Sequence, residues 1–164
     1  MKIAIISGIS GQDGSYLAQL LINKGYKVVG LTRKKRQNPL SGLDFLGVLD
    51  SCEMKEIDLL SKSEVDQLIK FYQPSEFYNL AAQSSVGYSF ETPTDTFTYN
   101  TLSVLNILEA IRLNSRKTKF YQASSSEMFG EIETKFLPLK ETFLFNPVSP
   151  YGISKASAHW LTIN

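Results

Sequence analysis

The chain has 164 residues, the size of one domain and long enough to bury a sizeable core. Hydrophobic residues make up 43% of it, and 17 Lys and Arg against 16 Asp and Glu leave a net charge of +1. That near-balance gives no basis for bulk binding to nucleic acid or to an anionic membrane, so any phosphate affinity must come from local placement. The single Cys52 cannot close an internal disulfide, which points to the reducing cytoplasm; it reads as a small buried residue near a strand. No apolar stretch is long enough to span a bilayer, and the opening MKIAIISGIS has no cleavage-site region after its apolar run, so it reads as a strand.

Ile3 to Ile6 is an apolar, β-branched run ended by Ser7-Gly8, the pattern of a buried parallel strand running into a tight turn. Ser15 to Lys24 places Leu17, Leu20 and Leu21 at helical spacing before Gly25 as a stop, and Tyr26 to Leu31 is a second strand. Strand, glycine turn, helix and strand within about thirty residues make a βαβ unit. The segment from Arg33 to Asp50 is irregular, with one short helix expected around Leu43 to Val48. Met54 to Ile57 is a weaker third strand. Ser61 caps a helix through Phe71, with Glu64 as its capping-box partner. Glu76 to Leu80 is a fourth strand. Asp95 to Asn114 reads as one amphipathic helix with Leu102, Leu105, Leu108 and Ile111 as its apolar face. Thr118 to Ala123 is a fifth strand, and a last helix begins near Tyr151 after a loop with three prolines. Strands and helices alternate throughout, so the expected fold is α/β: a Rossmann-type, doubly wound parallel sheet covered on both faces.

Gly8, Gly11 and Gly14 form G-x-x-G-x-x-G between the first strand and the first helix. Glycine there permits a tight turn and lets the backbone approach a pyrophosphate, while the helix N-terminus offers free N–H groups to it. The second strand ends at Thr32-Arg33 and continues into Lys34, Lys35 and Arg36, with no carboxylate where a ribose 2′-hydroxyl would sit. Arginine can hold a 2′-phosphate bidentately, so NADP is favoured over NAD; a solvated basic loop has the same composition. Asp58-Leu59 follows the third strand where such folds contact adenine, although an ordinary acidic turn fits equally.

Tyr151 and Lys155 are spaced i, i+4 on one helical face. An ammonium beside a phenol favours the phenolate, which suits a general base, and the same lysine could hold a nicotinamide ribose. Ser124, Ser125 and Ser126 follow the fifth strand, where ligands bind in such sheets, and Glu127 comes next. Oxidising an alcohol needs the hydroxyl and the phenol but no carboxylate. Glu127 therefore points to a second proton transfer, unless it is a plain loop glutamate. His159, the only histidine, and Trp160, the only tryptophan, read as structural or interfacial, and no His, Cys and carboxylate cluster suggests a metal.

GISGQDGSYLAQLL, NLAAQSSV, FYQASSSEMFG and SPYGISKASAHW together resemble the GDP-mannose 4,6-dehydratase family of extended short-chain dehydrogenases, along essentially the whole chain. The resemblance implies that Tyr151, with Lys155, takes the proton of the sugar 4-OH, that Glu127 removes the C5 proton and helps water leave from C6, and that Ser125 stands where the family often has threonine. It implies a cofactor lining of Gly8, Ile9, Ser10, Gly11, Gln12, Asp13, Gly14, Arg33, Asp58, Leu59, Leu80, Ala81, Ala82, Gln83 and Ser84, with Tyr151 and Lys155. Ser84, Ser85 and Ser125 would meet the substrate, GDP-mannose or another nucleotide sugar. A homo-oligomer, dimer or tetramer, is implied for the full-length protein. The basic loop KKRQNPLSG departs from the family pattern, as does Asp95 where a tyrosine is often found. Family members continue into a C-terminal substrate domain, so residues 1–164 are expected to be an NADP-binding domain with catalytic residues that does not turn over GDP-mannose alone. A related epimerase or reductase, or a non-catalytic NADP-binding fragment, remains the alternative.

Overall fold

The structure, a computed structural model, describes residues 1–33 and 40–164. The chain forms two compact units: residues 1–81 with 106–123, and residues 82–105 with 124–164.

The first unit is a parallel sheet of β1 (Ile3–Ser7), β2 (Lys27–Thr32), β3 (Cys52–Glu56), β4 (Glu76–Asn79) and β5 (Lys119–Gln122) in the order β3-β2-β1-β4-β5. Every pairing is parallel. The order reverses between β1 and β4, the position where such sheets open a crevice at the strand C-termini. Residues alternate across the sheet, and both faces are covered, as expected. Ile5, Val29, Leu31 and Phe77 pack with Val65, Leu68 and Ile69 of α3 (Lys62–Tyr72), and with Ile107, Ala110 and Ile111. On the other face Ala4, Ile6 and Val28 pack with Ala18 and Leu21 of α1 (Gln12–Asn23) and Leu43 of α2 (Ser41–Phe45). Cys52 is buried and free at the head of β3, as its reading foresaw.

At the C-terminal edge two buried polar side chains, Ser7 and Asn79, and the half-buried Gln122 satisfy one another. Ser7 Oγ donates to Asn79 Oδ1, Asn79 Nδ2 donates to Gln122 Oε1 at 2.8 Å, and the Ala81 N–H donates to Ser7 Oγ at 3.3 Å. β1, β4 and β5 are thus tied at their ends just before each strand gives way to a loop.

Two elements differ from expectation in an instructive way. Ser61 does cap α3, accepting from the Glu64 N–H, but the Glu64 carboxylate accepts from the Asp58 N–H at 3.0 Å, and the Ser61 N–H donates to the Asp58 carbonyl. The single long helix is in fact three segments: α5 (Pro93–Phe97), a π turn over Thr98–Leu102, and α6 (Ser103–Asn114). Its predicted apolar face is also corrected. Leu102 and Leu105 are 41% and 43% exposed, whereas Ile107 and Ala110 are buried with Ile111. Repeated steps of three residues drift by about 60° each on a helix of 3.6 residues per turn, so Leu102 and Ile111 cannot share a face.

In the second unit, α4 (Val86–Glu91) and α5 precede the π turn, and α7 (Pro150–Ile163) closes it. Ser149 caps α7 by accepting from the Gly152 N–H at 3.0 Å, and Pro150 occupies the first turn, where no N–H is required.

The corrected face of α6 is directly testable. Ile107→Ala should lower unfolding stability by about 2–5 kcal/mol, as a buried large-to-small change does, and Leu105→Ala by about 0.5 kcal/mol or less. Urea denaturation monitored by circular dichroism distinguishes them, and equal losses would return the face to Leu105.

Candidate active site

In the first unit, the loop from β1 to α1 is built around absent side chains. Gly8 has φ +73°, and a methyl on it would fall 2.8 Å from the Ala81 nitrogen; one on Gly14 would fall 2.4 Å from the Gly8 carbonyl oxygen. The Gly11 N–H donates to Gly8 O at 3.0 Å, closing the turn. Gly11 is the N-cap of α1 and supplies no side-chain cap, so the first-turn N–H groups and the positive end of the helix dipole are left to an external acceptor. This cradle fits a pyrophosphate. Ser10 is half-buried beside it, and Gln12 and Asp13 are exposed in the first turn of α1. The Ile9 side chain is fully buried in the core, and so is that of Leu59, which leaves both only backbone for a ligand.

Arg33 is exposed directly after β2. The rest of the predicted basic run, Lys34, Lys35 and Arg36, lies outside the described residues. Asp58 Oδ1 accepts from the Leu60 N–H at 3.0 Å, so its carboxylate serves a turn. Leu80 packs on the core, and Ala81 is fixed by Ser7.

In the second unit, Gln83 is pinned by Asn100, a residue that sequence reasoning missed. Asn100 Oδ1 accepts from the Gln83 N–H at 2.8 Å, and its Nδ2 donates to the Gln83 carbonyl and to Ser154 Oγ, each at 3.0 Å. Ser154 in turn donates to the Tyr151 carbonyl at 2.7 Å. An asparagine in the middle of the predicted helix was the available signal, since asparagine is a poor helix former. Ala82 is half-buried and Ser84 exposed, while Ser85 caps α4 by accepting from the Tyr88 N–H.

Four predicted catalytic residues belong to this second unit. Ser125 caps the 3₁₀ turn Ser126–Phe129 by accepting from the Glu127 N–H at 3.2 Å. Gly152 lets α7 approach that turn: a methyl there would lie 2.6 Å from the Glu127 carbonyl oxygen. Tyr151 is therefore one residue from the contact that locates Glu127. Lys155 lies one turn on, its Nζ 6.0 Å from the centroid of the Tyr151 ring. Both are buried, and burial pushes the Lys155 ammonium down to about 8. Ser124 Oγ and His159 Nδ1 are 3.0 Å apart. Two surface cavities of about 500 and 530 Å³, around Phe71 in the first unit and around Phe136 and Phe143 in the second, are lined by none of the predicted site residues.

The family described as GDP-mannose 4,6 dehydratase matches residues 5–164 of this chain. The chain belongs to that family. It is 43% identical to the GDP-mannose 4,6-dehydratase of Yersinia enterocolitica, covering 100% of this chain and 45% of that one. It is 42% identical to GDP-mannose 4,6 dehydratase 1 of Arabidopsis thaliana, covering 99% and 47%. The chain thus spans about half the length of these relatives. Among solved structures it resembles the UDP-glucose 4-epimerase of Thermus thermophilus in complex with NAD, at 29% identity and TM-score 0.85, over 98% of this chain and 50% of that one. The UDP-Glc/GlcNAc 4-epimerase of Campylobacter jejuni shares the fold, at 22% identity and TM-score 0.87, over 98% and 48%.

The lowered Lys155 value has a consequence for stability. Below about pH 8 the lysine is charged in folded and unfolded chains alike, and the folded chain bears the full desolvation penalty. Between about 8 and 10.5 only the unfolded chain holds the proton, so folding stability rises with pH; above that the penalty is gone. Lys155→Met should therefore stabilise the cofactor-free chain at pH 7 by up to about 3 kcal/mol. That advantage should shrink towards zero by about pH 10.5 in paired urea titrations, and a constant advantage across the range would exclude this origin.

Proposed function

We propose that this chain carries the cofactor-binding and catalytic residues of a nucleotide-sugar 4,6-dehydratase, which converts GDP-mannose to GDP-4-keto-6-deoxymannose with NADP. The observation that carries the reading is the close approach of α7 to the Glu127 carbonyl at Gly152, which builds a carboxylate-bearing turn onto the helix of the Tyr151–Lys155 pair. Family membership supports it.

In this reading Tyr151, as phenolate, takes the proton of the sugar 4-OH, and the Ser125 hydroxyl donates to the same oxygen. The new 4-keto group acidifies C5. Glu127 removes the C5 proton and delivers a proton to the hydroxyl leaving C6, so that water departs. Bound NADP would supply the redox chemistry, accepting hydride from C4 and returning it to C6. Lys155 would hold its ribose, and the cradle of Gly8, Ser10, Gly11, Gln12, Asp13 and Gly14 its pyrophosphate. Ile9 and Leu59 would contribute backbone, and Asp58, Leu80, Ala81, Ala82, Gln83 and Ser84 the remaining lining. Ser84 and Ser85 would meet the hexose.

Arg33 follows β2 directly, and the sequence from Gly30 to Arg36 holds no acidic residue, which supports NADP. The exposed apolar side chains of Leu102, Leu105 and Trp160 support a homo-oligomer, dimer or tetramer, and a lone free cysteine supports the cytoplasm. A 4-epimerase would need the phenol and the cofactor but no eliminating carboxylate, so Glu127 favours the dehydratase.

The full gene product incubated with NADP and a panel of nucleotide sugars should give a 4-keto product from GDP-mannose alone; inversion at C4 of a UDP-sugar would favour the epimerase. Glu127→Gln should reduce turnover and C5 proton exchange by about 10²–10⁴-fold with cofactor affinity unchanged. Arg33→Ala should weaken NADP by about 1.5–3 kcal/mol, the worth of a charged hydrogen bond, and leave NAD unaffected. Calorimetric titration with NADP and with NAD reads both affinities, and equal weakening would place the 2′-phosphate elsewhere.

A further inference from the structure

We infer that His159 is a positioning residue: it braces Ser124, and through it the Ser125–Glu127 turn, against α7. The role rests on the dehydratase reading for the chemistry it serves; the brace itself is a matter of geometry. Tyr151, Lys155 and His159 follow one another at four-residue steps on α7, a drift of only about 40° per step, so they share a flank of the helix. His159 lies at the far end of that flank from Tyr151, where its Nδ1 is 3.0 Å from Ser124 Oγ.

The same imidazole also grips the other end of the turn. Its ring packs edge-on against Phe145, with centroids 5.1 Å apart and planes at 78°. Phe145 packs edge-on against Phe129 at 5.0 Å and 82°, and Phe129 is the last residue of the turn that bears Glu127. Trp160 backs Phe145 at 5.6 Å, and the Asn146 N–H donates to the Met128 carbonyl at 3.1 Å. The turn is thus held at four points: Ser124 before it, the Glu127 and Met128 carbonyls within it, and Phe129 at its end. His159 takes part in the first and the last.

A general base must come within hydrogen-bond reach of its proton. A misplacement of about 1 Å can lower a rate on the order of 10²-fold. A ring that served only as filler would be replaceable by phenylalanine. A ring that also holds Ser124 would not.

His159→Phe keeps an aromatic ring beside Phe145 and removes the hydrogen bond. In the full gene product it should lower kcat and C5 proton exchange together, by about 10- to 100-fold, with KM unchanged. Ser124→Ala should do the same, and the double variant should be no worse than either single one. His159→Asn, which puts an amide near the position of Nδ1, should recover more activity than His159→Phe. Without substrate, Ser124→Ala should shift the imidazole nitrogen resonances assigned to His159. His159→Phe should speed amide exchange at Glu127 and Met128, whose N–H groups both donate to Ser125, and leave α7 protected. Additive losses in the double variant, or unchanged exchange at Glu127, would overturn the inference. Absence of GDP-mannose turnover in the wild type would sink the dehydratase reading instead, and the resonance and exchange results would still decide the brace.

Discussion

A parallel sheet delivers all its ligand-facing loops from one edge, and at that edge two buried polar side chains and a half-buried one must satisfy each other. Ser7, Asn79 and Gln122 do so at the ends of β1, β4 and β5. An unpaired amide or hydroxyl in that position would cost about 1–3 kcal/mol, so the register of the three strands is fixed by polar as well as apolar contacts. The loops that leave those ends inherit the register. Ser7 also accepts from the Ala81 N–H, and Ala81 is the residue against which Gly8 lies too close for any side chain. The glycine turn therefore takes its shape from the edge of the sheet before any ligand is present.

In the second unit the corresponding constraint is the approach of α7 to the Glu127 carbonyl. It requires glycine at 152, and it buries Tyr151, Ser154 and Lys155 on the helix that makes the approach. Ser154 is satisfied by Asn100 and the Tyr151 carbonyl. The lysine ammonium is held there at a desolvation cost. A fold selected for stability alone would place an apolar side chain there. A buried lysine with a lowered value beside a tyrosine is an expensive arrangement, and perturbed values of this kind gather at functional sites.

Much of this was legible from residue pattern. The five strands, their parallel order and the two-sided core follow from short β-branched runs alternating with amphipathic helices. The glycine turn and the Tyr151–Lys155 spacing were visible as motifs, and Ser125 and Glu127 as polar residues at a strand end. What was not legible depends on three-dimensional register. The apolar face of α6 was misread because leucines three apart look periodic in a sequence but drift around a helix, and because a π turn interrupts the segment. Asn100 was missed because its partners, Gln83 and Ser154, are distant in sequence and unremarkable in type. The pairing of His159 with Ser124 spans 35 residues and has no local signature.

The hydrogen bonds also assign a polarity to the hydroxyls. A serine hydroxyl has one donor and two lone pairs. Ser125 spends one lone pair on the Glu127 N–H, and Ser85 spends one on the Tyr88 N–H. What Ser125 retains is its proton and a second lone pair, already polarised by a donor on the other side of the oxygen. That makes it a better donor than an isolated serine, suited to an oxygen on which charge develops. The bond by which Ser125 caps the Glu127 N–H is thus the same one that would prepare its hydroxyl for the alkoxide of the proposed reaction. In the proposed reaction, positioning of the elimination base and stabilisation of the oxidation step would be joined in one three-residue turn.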